Sequence, residues 1–321
     1  NSINDPIYKA GLLTAWATAK IYIGGPENEI LFMLDEAIQY LRNVQDFNED
    51  QNWWRARILG TTYNYLGYLH RSKGHYSLAL DQYKRALPYF LDSNIQDERA
   101  NTLNNMAFLQ AVLGRVQLAR KHVDDALMIR KGLGKAYPVA LSLNTRGIIH
   151  VLEDHPMWGE RECRIALEMC QKMGDPRGIG LAQIGLGLAL RKKGTQWKME
   201  VGYSQADAEL YFREAEERFR SSSEVFSESV KEPIRLWEAY NELGSLYCDW
   251  AWLTRKWQDG DRKPLAVDQY DRSILHHQNA LRVAEEENLP FQAADSHDDL
   301  AQAYADRSFL LSELGSQEKA K

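Results

Sequence analysis

The chain has 321 residues, 44% of them hydrophobic and 26% charged, and a net charge of −6. This composition excludes a disordered chain and supplies enough apolar material for a continuous core. The acidic balance argues against a general polyanion binder, and no apolar stretch of about 18 residues is long enough to span a membrane. Three cysteines, Cys163, Cys170 and Cys248, are too few and odd in number for a disulfide framework, which fits reduced thiols and a cytoplasmic setting.

In chain order, residues 1–52 read as a divergent first helix pair, with Thr18, Gly25 and Ala37 at its small and turn positions. Residues 53–194 carry a regular period. Gly67, Ala107, Gly147 and Gly187 stand 40 apart (107 − 67, 147 − 107, 187 − 147), and Ala86, Ala126 and Ala166 keep that step 19 residues later (86 − 67). Two small residues per unit mean two helices that approach closely, because only a side chain of one carbon or none permits the contact. A fixed period of this size marks a stacked helical array. Residues 195–321 continue it with longer helices and insertions. The segment 195–204 reads as an insertion delaying a second helix by nine residues, so that Ala215 fills the position due at 206 (215 − 206). A fifth unit holds Leu243, Gly244 and Tyr247, with a first helix running through Trp257 and a second over 265–287 carrying Ala280. A sixth opens near Phe291 and is incomplete after Gly315. The reading is one domain over 1–321 with about seven helix pairs. The start at Asn1, without Met, suggests a piece of a longer protein with partner domains of its own.

The clearest unit, Asn64-Tyr65-Leu66-Gly67 with Gly74, Tyr76, Ala79, Tyr83 and Ala86-Leu87, resembles the tetratricopeptide repeat. His70 stands where a bulkier residue is usual, and the closing Pro is missing. Units of 40 residues, against about 34 for the family, resemble the long repeats of kinesin light chain-like adaptors, of the sensor arms of bacterial STAND-type signalling ATPases, and of peptide-sensing bacterial regulators. The resemblance implies an all-α, right-handed α-α superhelix, a tetratricopeptide-like solenoid whose first helices line a concave groove for a protein or peptide.

Winding each first helix at about 100° per residue separates a packing face from a spare one. The spare positions are Thr61, Asn64, Tyr68 and Arg71, then Asn101, Asn104 and Phe108, then Leu141, Asn144, Ile148 and Val151. Leu181, Ile184, Leu188 and Arg191 follow, then Asn241, and finally Asp295 and Asp298. Asn is a mediocre helix former, so its repeated use at 64, 104, 144 and 241 wants a reason. Its amide matches the alternating N–H and C=O of an extended peptide; it also suits hydrogen bonding between adjacent helices, and both readings stay open. The expected peptide-binding residues are Asn64, Tyr68, Arg71, Asn101, Asn104, Phe108, Asn144, Ile148, Ile184, Leu188, Arg191 and Asn241. The apolar third and fourth units and the acidic end suit a ligand with an apolar middle and a basic end.

The aromatics Trp237, Tyr240, Tyr247, Trp250, Trp252 and Trp257, and Trp53 with Trp54, read as packing for long helices rather than hot spots. The run Arg191-Lys192-Lys193 reads as a helix end. Catalysis has no motif: no GxxxxGK[ST] loop, nucleophile elbow or HExxH occurs, and the adjacent His276 and His277 point to different faces. No cofactor, metal, nucleic acid or membrane partner is expected. The chain is thus read as a non-catalytic binding domain, the ligand-sensing or partner-docking arm of a larger bacterial signalling protein that responds through its curvature. The alternatives are a static scaffold adaptor and a regulator binding a small molecule.

Overall fold

The computed structural model describes residues 5–23, 25–43, 48–92, 94–196, 204–256 and 262–320. They form thirteen α-helices and no strand: α1 (Pro6–Ile23), α2 (Glu27–Arg42), α3 (Glu49–Ser72), α4 (Tyr76–Asp92), α5 (Gln96–Val112), α6 (Val116–Gly132), α7 (Ala136–Leu152), α8 (Pro156–Met173), α9 (Pro176–Thr195), α10 (Gln205–Glu224), α11 (Pro233–Lys256), α12 (Lys263–Glu286) and α13 (Pro290–Ala320). A short π-helical turn, Val225–Ser229, continues α10. The fold is the all-α helical repeat expected, with six helix pairs and an unpaired α13. It divides into two compact units, Asn1–Lys135 with α1–α6 and Ala136–Lys321 with α7–α13.

Helix length in the regular region is set by reversals every 20 residues. Gly74, Asn94, Gly114, Gly134, Asp154 and Gly174 all take positive φ, between 53° and 75°. At each, the following N–H reaches back to the carbonyl five residues earlier, as in His75 to His70 (2.8 Å) and Arg115 to Gln110 (2.7 Å). These closures satisfy carbonyls left open by the helix end and turn the chain into the next helix.

The small residues hold the pairs together. Ala86, Ala126 and Ala166 are fully buried. A Cβ on Gly67 would lie 2.6 Å from the Tyr83 ring, and one on Gly187 2.6 Å from Phe219. A third track at the same step, Gly60, Ala100, Ala140 and Gly180, carries no sequence signature of the repeat yet is equally closed. Ala100 and Ala140 have no exposure, and Gly60 and Gly180 face Phe90 and Phe226.

The fourth pair corrects the sequence reading. Gly180 faces Phe226, Gly187 faces Phe219 and Gly194 faces Phe212, and the partners' numbers always sum to 406, as antiparallel pairing requires. By this register Ser222, not Ala215, occupies the position due at 206, a delay of 16 residues (222 − 206) rather than nine. Ser222 is fully buried and its Oγ donates to the Gly180 carbonyl (3.1 Å). The cause is that Gly194 does not reverse the chain as Gly74 and Gly114 do. The helix runs through it, and both arms of the hairpin are longer. Ser204 restarts the chain by a capping box with Asp207. Most of the expected insertion, 197–203, and Trp257 lie outside the described residues.

Candidate functional site

Each unit carries part of the expected site. In the first, α3 and α5 bring six of the named residues together, all half-buried. Asn64 Oδ1 accepts from Thr102 Oγ1 (3.2 Å) and Asn105 Nδ2 (3.5 Å) across the two helices. The Arg71 guanidinium lies over both the Tyr68 ring (5.1 Å to its centroid) and the Phe108 ring (5.6 Å). Two aromatic faces attract the cation without consuming its hydrogen-bond donors. Asn101 is tied down from another helix: its Oδ1 accepts from Arg130 (2.6 Å), itself buried, and its Nδ2 donates to Glu98 (3.3 Å). Asn104 stands half-buried on the same helix as Phe108.

In the second unit the positions separate into two kinds. Leu141, Ile148, Val151, Leu181 and Leu188 are half-buried, an apolar strip on α7 and α9. Ile184 and Asn144 are instead covered, at 2% and 7% exposure. For these two the expectation of a spare face does not hold. α9 packs against α7, α8, α10 and α11 and has little uncovered surface. Gly185 on α9 leaves a gap into which Asn144 turns, donating to the Leu181 carbonyl (3.2 Å). Asn144 therefore follows the helix-to-helix reading of the amides.

Asn241 does the same through histidine: its Oδ1 lies 3.0 Å from His277 Nδ1, and His277 packs against Gly244. His276, next in chain, stacks on Tyr247 (5.6 Å). Both imidazoles are buried. Burial pushes each down to about 4, with Arg220 adding to it at His276 and Asp299 partly offsetting it at His277.

Arg191 spans α9 and α11, donating to Asp249 (2.6 Å) and Glu242 (2.7 Å). Burial alone would lower its pKa; the two carboxylates outweigh this and keep the guanidinium charged. Its neighbours are engaged as well, Lys192 with Asp154 and Lys193 with Glu160 (2.7 Å each). The basic run is thus paired off internally. At α13, Asp295 and Asp298 are exposed; burial and the neighbouring Asp299 and Asp298 raise the Asp295 pKa.

Of the aromatics read as packing, Trp252 is exposed, against that reading, whereas Tyr247 and Trp250 are buried as packing residues should be. Trp53 and Trp54 are not: they meet edge to face (4.9 Å) with Arg57 over both rings, and Trp54 is 51% exposed. Asn105 was missed by the sequence reading. It lies one residue off the Asn104 position, and only the α3–α5 contact reveals its role. No described helix is long and apolar enough to cross a membrane.

No protein-family model and no curated protein matches the sequence. Solved structures do match the fold. A Rap protein complexed with competence and sporulation factor aligns over 99% of this chain and 89% of its own, with a TM-score of 0.61 and 14% identity. BtubC (BKLC) from P. vanneervenii aligns over 68% of this chain and 84% of its own, with a TM-score of 0.52 and 19% identity. At these identities the likeness defines the class, an all-α helical-repeat fold, and nothing finer.

Proposed function

We propose that this chain is a non-catalytic binding domain that takes an extended peptide or protein segment on the faces of its first helices. The observation that carries the reading is the α3–α5 patch, where Arg71 lies over Tyr68 and Phe108 on the helices that carry Asn64, Asn104 and Asn105. A guanidinium already oriented before the ligand arrives loses little entropy on binding, and its planar donors suit a carboxylate. The half-buried strip Leu141, Ile148, Val151, Leu181 and Leu188 suits apolar side chains. The acidic Asp295 and Asp298 suit a basic group. The Rap protein of similar fold, which is complexed with competence and sporulation factor, supports the binding reading. As part of a larger bacterial signalling protein, such a domain would act as its sensing or docking arm.

The test is an arrayed library of random peptides probed with the wild type and with Arg71→Ala/Asn104→Ala. Both side chains are half-buried, so the helical circular dichroism should survive. Peptides captured by the wild type should lose at least 10-fold in affinity, about 1.4 kcal/mol. Retention of every captured peptide at unchanged affinity refutes the patch.

A further inference from the structure

At the turn between α7 and α8, three side chains that can ligate a metal converge. His150, Glu153 and His155 each place one ligand atom so that all three lie within 4.8 Å of one another. The backbone explains why. Asp154 takes φ +67°, and the His155 N–H closes back on the His150 carbonyl (2.8 Å). That six-residue closure sets residues five apart side by side, while Glu153 stands at i+3 from His150 on the same helical face. His155 occupies the N-cap of α8, yet its side chain makes no capping hydrogen bond there. His150 and Glu153 are half-buried and His155 is exposed, so the cluster has a floor and an open mouth.

The surroundings point the same way. His150 Nδ1 faces Glu153 (3.9 Å), and its Nε2, on the opposite edge of the ring, faces Glu162 Oε1 (4.0 Å). Glu162 is itself fixed by two bonds from Arg146, at 2.6 and 2.8 Å. A ligating imidazole generally gives its second N–H to a carboxylate, which fixes ring orientation and raises basicity. Glu162, 4.0 Å from that nitrogen, lies on the ring edge where the partner would stand after closing to hydrogen-bond distance.

We propose that this turn binds a divalent transition-metal ion of the zinc class through His150 Nδ1, a Glu153 oxygen and a His155 ring nitrogen. The fourth position is left to water or to a group on a bound partner. Two imidazoles and one carboxylate form a borderline donor set that favours Zn²⁺ over Mg²⁺ or Ca²⁺. With Zn–N and Zn–O bonds of about 2.0–2.2 Å, tetrahedral ligands stand roughly 3.3–3.5 Å apart. Rotation of the exposed His155 ring and of the Glu153 carboxylate supplies the closing movement. The bound ion would clamp the end of α7 to the start of α8.

The chain contains its own control. Two repeats earlier (150 − 70 = 80), His70 and His75 flank the same closure, with Gly74 at φ +75° and a His75 to His70 bond of 2.8 Å. Their rings lie 6.1 Å apart. The residue matching Glu153 is Lys73, whose ammonium opposes a cation.

The test is calorimetric titration of the tag-free chain with ZnCl₂ and, separately, MgCl₂. The expected result is one Zn²⁺ per chain, bound at least 100-fold more tightly than Mg²⁺. His155→Ala and Glu153→Gln should each weaken it 10-fold or more, Glu162→Gln by about 10–100-fold, and His75→Ala should leave it unchanged. Co²⁺ should give the visible absorption of a four-coordinate site in the wild type and lose it in His155→Ala. His155 is exposed, and circular dichroism verifies that its variant folds. An adventitious ion only, seen as weak binding at several sites that His155→Ala and Glu153→Gln do not alter, overturns the proposal. So does loss of binding in His75→Ala with retention in His155→Ala.

Discussion

Replacing Gly147 by Ala adds one methyl group where α7 crosses α8. A Cβ there would lie 2.5 Å from Cys163 Sγ, 3.0 Å from the Gly159 carbonyl oxygen and 3.4 Å from the Cys163 nitrogen. Cys163 is fully buried and the other two atoms are backbone, so no flexible side-chain end can turn away freely. Relief requires a new Cys163 rotamer in a closed core or a shift of α8, with the Gly159 oxygen giving way as well. Intrinsic helix propensity opposes the damage, because Gly to Ala inside a helix gains about 1 kcal/mol. Overpacking costs about 1–3 kcal/mol, and a contact with rigid atoms belongs at the upper end. The net expectation is a loss of about 2 kcal/mol. Gly132, the last residue of α6, is the internal reference: nothing lies within 4 Å of its Cβ position. Gly132→Ala should therefore show propensity alone, a gain of about 0.5 kcal/mol. Urea unfolding followed by far-ultraviolet circular dichroism reads both, with the slopes compared to confirm that the denatured state is unaltered. One substitution made at two places should give opposite signs. If Gly147→Ala unfolds at the wild-type urea concentration or higher, close helix approach is not what the 40-residue spacing records, and the reading of the repeat from its small residues fails.

Two further outcomes follow from the site. Asn144→Ala removes a buried bond to the Leu181 carbonyl and should cost about 1 kcal/mol in urea unfolding while leaving peptide capture unaltered; lost capture at full stability would return Asn144 to the binding surface. His276 and His277 have folded pKa values near 4, below the 6.5 of an exposed imidazole, so the unfolded chain binds their protons more readily. Their contribution is complete above about pH 6.5 and is lost as the pH falls from there towards 4. The urea midpoint should drop across that window, and proton NMR should show both rings uncharged at pH 5 in the folded chain; a ring that titrates near 6.5 with the fold intact contradicts the assignment.

The fold was legible because its determinants repeat. Gly67, Ala107, Gly147 and Gly187 could be read from the sequence since each needs a small side chain for the same steric reason. The 16-residue shift in the fourth pair was not legible. Gly194 matches Gly74 and Gly114 in the sequence, and only the Phe212 ring covering it shows that it continues a helix instead of ending one. The reading of a spare helix face matched the half-buried grouping on α3 and α5, where residues four apart on a helix share a face. It failed at Ile184 and Asn144 because exposure on one helix depends on how many others surround it, and α9 has four neighbours. The His150, Glu153 and His155 group escaped notice because metal-ligand patterns on a helix use spacings of three or four. A spacing of five becomes a contact only when a left-handed residue such as Asp154 folds the chain back.

The partners of the small residues differ from pair to pair, and that difference sets how α7 and α8 meet. Gly67 is filled by Tyr83, Gly187 by Phe219 and Gly244 by His277, so a planar ring stands between the helices. Gly147 meets Cys163 and the Gly159 backbone instead, and Gly159 in turn faces the Gly147 carbonyl and Val151. With glycine on both sides, α7 and α8 touch main chain to main chain, and neither helix can shift without breaking the contact. His150 lies three residues beyond Gly147, and His155 four residues before Gly159 (150 − 147, 159 − 155). The proposed metal turn therefore closes a hairpin whose two helices meet backbone to backbone. An ion bound there should add little movement of its own, and its effect would be to keep the loop end of α7–α8 from opening. Amide hydrogen exchange at 152–156 is the place to see it: Zn²⁺ should slow exchange in that turn and leave the matching turn at 72–76 unaltered.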